Sequence, residues 1–509
     1  MKKTKKILIL LCALILAAQL AVNSVADGTT YTLTLNNTGE TAHTFEIYQI
    51  FTGDLSVNAA SQKVLSNIVW GSGVDSSGQT AFGNAAAKAE TLASESDAKA
   101  FANALVSGNY LTNPSTKTVA AGSSDTVTGL APGYYLIKDQ ANTQTGQGSA
   151  YTSYILEVVG NVTASPKIGL PTVEKKVKDI NDTNSSDISG SAWQDSADHD
   201  IGDTIPYQIT GTLPENYADY GAYYYQFNDT MSAGLTYQAD AKVYVDNNGT
   251  ETEITSQVTV APSAEAAGAT LSVTIADTKS LTGVTVDKDS KIIVRYTAVL
   301  NNNAVIGAAG NDNTVTLTYS NDPNPGGTGT GTTTPDKAIV FTYQITVNKV
   351  DQNNDPLPNA GFTLYKKDSN GDWQTVKTYA AGAATTFTFS GLDDGDYKLV
   401  ETEVPSGFNK FGDLEFTITA VHETTADDPS LISLNSATAN GDVITLAGTQ
   451  QATVNLTGGV ISTDIVNRSG STLPSTGGIG TAIFYTLGGL LVIGAIILFI
   501  SRKRTLSEI

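Results

Sequence analysis

The sequence predicts an all-β protein, a row of β-sandwich domains framed by an apolar segment at each end. Three observations carry this. Runs of alternating apolar and polar residues, Tyr31–Leu35, Thr314–Tyr319 and Ile345–Val347 among them, recur between clusters of turn residues. A period of two places every second side chain on one face of a strand. Long stretches of helical periodicity are scarce, and the 450 residues from Asp27 to Thr476 suit roughly two to four domains.

The two ends have their own logic. Lys2, Lys3, Lys5 and Lys6 precede the apolar stretch Ile7–Ala18, and Ser24-Val25-Ala26 offers small residues for cleavage. Residues 1–26 therefore read as a secretory signal peptide. Cys12, the one cysteine, lies inside it and leaves with it, which excludes disulfides, thiol catalysis and cysteine–metal sites from the mature chain. Near the other end, the 21 uncharged residues Gly480–Ile500 are long enough for a transmembrane helix, and Arg502-Lys503-Arg504 behind them hold the tail in the cytoplasm.

Between these ends the chain carries 22 Lys and Arg against 49 Asp and Glu, a net charge of −27. Phosphate contacts need clustered cations, so nucleic acid is excluded as a partner. The three histidines, His43, His199 and His422, are scattered, and no GxSxG or HExxH occurs. The chain is therefore not expected to be an enzyme. No cofactor or metal is expected either. Asp368-Ser-Asn-Gly-Asp372 looks superficially like a calcium loop but lacks the twelfth-position Glu, and reads as a turn.

Three domains follow in order. Residues 27–170 open with Tyr31–Leu35, carry a segment of helical composition at Ala85–Val106, and close with Tyr154–Val159 before a linker punctuated by Pro166, Gly169 and Pro171. Residues 171–343 begin with Thr172–Val177 and include the strand Val315–Tyr319. The Gly- and Thr-rich stretch Asn321–Asp336 reads as a flexible loop, and could itself mark the boundary with the third domain. Residues 344–470 form that third domain. Asn-Gly pairs at 248–249 and 370–371 mark hairpin turns.

Leu473-Pro-Ser-Thr476-Gly477, just ahead of the apolar run, resembles the LPXTG sorting signal of Gram-positive surface proteins. The resemblance implies that a sortase, a cysteine transpeptidase, cuts between Thr476 and Gly477 and passes the Thr476 carbonyl to an amine. In the third domain, Ile345-Thr-Val-Asn-Lys349 resembles the first strand of collagen-adhesin B-type domains. Tyr397-Lys-Leu-Val-Glu401-Thr-Glu-Val-Pro405-Ser-Gly-Phe408 resembles their E-box, and Ile465-Val-Asn467 their last strand. The family resemblance implies immunoglobulin-like sandwiches in which the Lys amine attacks the Asn amide, ammonia leaves and an intramolecular isopeptide bond remains. Phase agrees: Lys349, Glu401 and Asn467 each share a face with apolar neighbours two residues away. Burial there makes Lys349 a neutral nucleophile and keeps Glu401 protonated, able to polarise the Asn467 carbonyl.

The second domain spells the set differently. Lys175 is in phase with Val173 and Val177, Asp229 with Tyr225 and Phe227, and Asn321 with Val315, Leu317 and Tyr319. The expectation is a Lys175–Asn321 bond assisted by Asp229, with Lys176 as the alternative if a bulge flips the register. The first domain has Asp139 where an E-box has Glu and no Lys in its first strand, so no bond is expected there.

The whole arrangement resembles the backbone pilins of Gram-positive bacteria. That resemblance places the acceptor amine in Val162-Thr-Ala-Ser-Pro166-Lys167, making Lys167 the intersubunit linkage residue, with Lys176 and Lys178 as alternatives. It implies a covalently polymerised shaft subunit on the cell surface. Its partners would be a pilus-specific sortase, a wall-anchoring sortase, other copies of the chain and peptidoglycan. A wall-anchored adhesin or minor pilin is the alternative, contacting a host or matrix ligand through its first domain or the Tyr-rich stretch Tyr217–Phe227.

Overall fold

The computed structural model describes residues 28–58, 60–165, 169–183, 192–438, 445–446, 450–470 and 479–505. Outside them lie the signal peptide, Lys167, Thr476 and Gly477.

The N-terminal body faces one sheet against another. The strands Ser124–Leu130, Tyr31–Asn36 and Val162–Ala164 form a three-stranded sheet. His43–Val57 sits between Lys63–Trp70 and Gly133–Asp139 in a five-stranded one. Alternation works as the sequence predicts: Leu33 and Leu35 meet Phe45, Ile47, Tyr135 and Ile137 in the core. The other face of the larger sheet is covered by helices, with Tyr48 and Leu136 packed among Ala89, Phe101 and Leu105. Instead of one helix over Ala85–Val106 there are two, Ala85–Glu90 and Glu95–Ser107, preceded by Ser76–Phe82. The break is chemical. Asn84 caps Ala87 N–H, and Ser94 caps Asp97 N–H, starting a new helix because these side chains bond the backbone better at a cap than at a mid-helix position.

In the middle body, Val173–Lys178, Thr204–Thr212 and Lys291–Leu300 lie side by side in one sheet. The facing sheet runs Ser196–Asp198, Asp336–Phe341, Asn311–Ser320, Tyr225–Met231 and Thr270–Ile275. Asn248 and Gly249, both at positive φ, close the hairpin between Lys242–Asn247 and Thr250–Glu253, as an Asn-Gly pair favours. Tyr217, Tyr220, Tyr223, Tyr225 and Phe227 are all buried in this core. The Tyr-rich stretch therefore packs the sandwich, and the ligand-contact role expected for it as the alternative is not available to those rings.

The C-terminal body pairs the sheet Thr386–Leu392, Tyr343–Asp351, Val460–Asn467 with the sheet Trp373–Tyr379, Gly361–Lys367, Gly395–Glu403, Leu414–His422, Leu431–Thr438. Its first and last strands run parallel, from Gln344 opposite Val460 to Asp351 opposite Asn467. The chain passes from the middle sheet into this one through the buried Thr342, and Ile339 and Phe341 pack with the C-terminal core. Asp368 accepts from the backbone N–H of Asn370 and Asp372, so its carboxylate closes its own hairpin turn.

The helix Ile479–Thr505 contains an exposed apolar window, Ile483–Arg502, of 20 residues, long enough to cross a membrane.

Candidate functional site: lysines buried among acids and amides

In the C-terminal sandwich, the parallel pairing sets Lys349 opposite Ile465, one strand pitch from Asn467 on the same inward face. Glu401 comes from the facing sheet. All three are buried, Lys349 and Glu401 completely and Asn467 to within 1%. The Asn467 amide nitrogen donates to Glu401 Oε1 at 2.7 Å, and the Phe411 backbone N–H donates to Oε2 at 2.7 Å. Lys349 Nζ donates to the carbonyls of Ile465, at 3.0 Å, and Val350, at 3.1 Å. Burial pushes the Lys349 amine down to about 8, against the opposing pull of Glu401 and Asp351. The structure thus brings together the Lys, Glu and Asn picked out in this domain. One detail differs from expectation: the acid faces the amide nitrogen of Asn467, and the carbonyl oxygen Oδ1 is the atom left without a partner.

In the middle sandwich, Lys175 rises from one sheet and Asp229 from the other, both fully buried. Lys175 Nζ donates to Asp229 Oδ1 at 2.6 Å and to the Tyr296 hydroxyl at 2.8 Å. It lies near the rings of Tyr207 and Tyr296, 4.9 and 5.2 Å from their centroids. Tyr296 in turn donates to Asp229 Oδ2 and accepts from Asn313 Nδ2 at 2.7 Å. Asn313 is fully buried and its Oδ1 has no partner. Burial pulls the Lys175 amine below its ordinary value, although Asp229 opposes this, and burial raises the Tyr296 hydroxyl well above its own.

Asn321 is not part of this cluster. Its Nδ2 donates to the Gln144 carbonyl at 3.2 Å and to Ser149 Oγ at 3.0 Å, both in the N-terminal body. The correction has a simple geometric reason. Asn313 and Asn321 share one phase, but eight extended residues separate them by roughly 26 Å. The register sets Asp229 opposite Val315 and Met231 opposite Asn313, which brings Asn313, not Asn321, to the Lys175 end of the strand. Phase was readable in the sequence; this cross-strand register was not. The same limit hid Tyr296, which sits opposite Tyr207 in the neighbouring strand. Lys176, the alternative amine, points to the other face, where it pairs with Asp195 at 2.5 Å and Glu174 at 3.2 Å.

In the N-terminal body, Asp139 meets a histidine. His43 Nδ1 lies 2.8 Å from Asp139 Oδ1, and the Thr152 N–H donates to Oδ2 at 2.8 Å. Burial raises the Asp139 carboxyl, and the bond to His43 partly offsets this.

A family model described as Gram-positive pilin backbone subunit 2, Cna-B-like domain, matches residues 201–323. One described as a prealbumin-like fold domain matches 343–429, and the LPXTG cell wall anchor motif matches 466–506. The chain is 27% identical over 394 residues to the trypsin-resistant surface T6 protein of Streptococcus pyogenes serotype M6, covering 67% of this chain and 70% of that one. The solved T6 backbone pilin of S. pyogenes, a modular three-domain structure, superposes with a TM-score of 0.54 at 19% identity. That match covers 88% of this chain and all of the other. The full-length major pilin SpaD of Corynebacterium diphtheriae matches at 18% identity with a TM-score of 0.47, covering 88% of this chain and all of SpaD. With the anchor motif, the pilin sandwiches and the apolar C-terminal helix on one chain, this is a non-enzymatic sortase substrate that polymerises with its own copies and is held at the cell wall. Its middle domain matches the Gram-positive pilin backbone model, and the chain serves as a shaft subunit of a surface pilus.

Proposed function

We propose that two autocatalytic isopeptide bonds, Lys349–Asn467 and Lys175–Asn313, lock the C-terminal and middle sandwiches of this shaft subunit. We further propose that sortase joins Thr476 of one subunit to Lys167 of the next. The observation that carries the reading is the repeated arrangement of a buried lysine amine with an acid and an otherwise unexplained buried asparagine amide, in two sandwiches of unrelated local sequence. As permanent ion pairs these groups would be costly to bury, whereas conversion to a neutral amide removes the charge.

The chemistry balances within each cluster. The neutral Nζ of Lys349 attacks Cγ of Asn467, a C–N bond forms, and the Cγ–Nδ2 bond breaks. The proton lost by Nζ passes through Glu401, which already holds Nδ2 at 2.7 Å, and departs with that nitrogen as ammonia. In the middle domain Asp229 takes the part of Glu401. The Tyr296 hydroxyl, bonded to Lys175, Asp229 and Asn313, links amine, acid and amide. Each reaction happens once per molecule.

For the joint between subunits, Lys167 lies between two described anchorages. The strand Val162–Ala164 pairs with Tyr31–Asn36 in the N-terminal body. Gly169 lies so close to the middle body that a Cβ there would meet Asn216 Oδ1 at 2.6 Å. Pro166 holds the residue before it extended. A pilus-specific sortase would make the Thr476–Lys167 bond, and a wall-anchoring sortase would transfer the basal subunit to peptidoglycan. Immunoblots of wall extracts test the joint. The wild type gives a ladder of very large SDS-resistant species, and Lys167→Ala reduces it to a monomer band. A persisting ladder would move the linkage to Lys176 or Lys178.

A further inference from the structure

A groove of 760 Å³ opens on the middle body, between the turn at residues 215–218 and the loop over residues 278–289. Leu281, Val284 and Val286 form its apolar floor. Each is half-buried and packs against the core of the sandwich, with the rest of the side chain facing the groove. The charged groups around the rim are already matched. Lys288 lies 3.2 Å from Glu215 and 2.9 Å from Asp289, and Asp287 accepts the Asp289 N–H at 2.9 Å. Lys279 donates to the carbonyls of Ala218 and Tyr220. Such a lining suits an uncharged, partly apolar occupant.

The groove adjoins the linker between the N-terminal and middle bodies. A Cβ on Gly169 would meet the Glu215 backbone nitrogen and Pro214 Cβ, each at 3.2 Å. The wall of the groove therefore begins within two residues, about 7 Å of chain, of Lys167. The other side of the joint is equally constrained. In the C-terminal body the Asn409 N–H donates to the Arg468 carbonyl at 3.0 Å, and the Ser469 N–H donates to Gln352 Oε1 at 2.9 Å, which ties the chain down almost to Gly470. Residues 471–476, Ser-Thr-Leu-Pro-Ser-Thr, are then all that remains before the sortase cut. Six residues span at most about 20 Å. They carry no charge, and Pro474 favours an extended Leu473.

We propose that this groove seats the sorting tail of the neighbouring subunit, residues 471–476 of a second copy of the chain, a reading that rests on the Thr476–Lys167 joint. Leu473 and Pro474 are the apolar part of that tail and match Leu281, Val284 and Val286 in the floor. Weak contacts suffice. Once Thr476 is bonded to Lys167 the tail cannot diffuse away, and its seating is an intramolecular event at high effective concentration. The consequence is mechanical. A loose six-residue tail would make every joint a swivel, whereas a seated one fixes the C-terminal body of one subunit against the middle body of the next.

From Asp27 onward the chain has no cysteine, so two engineered thiols report the seating. Pili are assembled in cells from the full chain carrying Val284→Cys in the groove floor and Ser475→Cys at the variable position of the sorting motif. If Ser475→Cys stops polymerisation, Thr472→Cys, outside the motif, replaces it. The pili are mildly oxidised and digested without reduction, and the peptides are sequenced. The expected result is a disulfide from the tail to position 284, carried on the branched Thr476–Lys167 peptide. It should form about tenfold or more efficiently than with Val376→Cys, an exposed position on the C-terminal body, in place of Val284→Cys. The unpolymerised chain from Asp27 to Thr476 with the same substitutions should keep both thiols free. A branched Thr476–Lys167 peptide whose thiols stay unpaired, or pair equally well with position 376, would overturn the seating and leave the joint standing. A disulfide already formed in the monomer would also overturn it. A branch at Lys176 or Lys178 would overturn the joint, and the seating with it.

Discussion

At the scale of single residues, two asparagines that look alike in sequence have different partners, Tyr296 for Asn313 and the N-terminal body for Asn321. Asn313→Ala removes the proposed amide partner of Lys175. The expected outcome is an intact mass lacking one ammonia loss, about 17 Da, while Asn321→Ala retains the full loss. The reverse pattern would restore the assignment made from strand phase alone. Lys349 supplies a second prediction with a definite sign. In Asn467→Ala the amine stays free, with its value lowered from an ordinary 10.5 to about 8. Between those values the unfolded chain binds more protons than the folded one, so this group makes stability rise with pH from about 8 to about 10.5. The melting temperature of Asn467→Ala should therefore gain over that window relative to the double variant Asn467→Ala, Lys349→Met. Parallel pH profiles for the two would show that the amine is not desolvated by folding.

At the scale of elements, strand existence and facing were legible because alternation is local. Leu33 and Leu35, Tyr225 and Phe227, and Ile345 and Val347 all point inward as their spacing indicates. The E-box was legible for the same reason, since Tyr397, Leu399 and Glu401 share one strand and one face. What remained out of reach depends on how strands slide past each other. The pairing of Asp229 with Val315 selects Asn313, and the pairing of Gly146–Gln147 with Thr330–Thr332 turns part of a Gly- and Thr-rich loop into a strand. That short parallel pair docks the N-terminal body on the middle one. Asn321 completes it by donating to Gln144 and Ser149, while the Tyr151 N–H donates to the Asn321 carbonyl at 2.7 Å. Asn321→Ala should thus loosen the N-terminal domain, by about 1–3 kcal/mol for the buried groups left unpaired. The readout is a lower first transition in calorimetry with the later transitions unmoved. A shift confined to the later transitions would contradict the strap role.

For the whole molecule, the three bodies differ in how they resist force and heat. In the C-terminal sandwich, the parallel pairing of Tyr343–Asp351 with Val460–Asn467 places the entering and leaving ends of the domain at opposite ends of one strand pair. Tension then loads the pair in shear, and a Lys349–Asn467 bond would carry that load covalently. No such tie is expected in the N-terminal body, which holds the buried His43–Asp139 pair instead. It should melt first and be cut first by protease. His43→Ala should lower its transition further, by about 3 kcal/mol for a buried carboxyl left without its partner. Retention of the N-terminal body after the other two have unfolded would oppose this ordering. The central claim is the pair of covalent locks, and intact-mass measurement with peptide sequencing of the Asp27–Thr476 chain tests it most directly. The account predicts a mass about 34 Da below that of the sequence, two ammonia losses, with cross-linked peptides joining Lys349 to Asn467 and Lys175 to Asn313. An unshifted mass would contradict it.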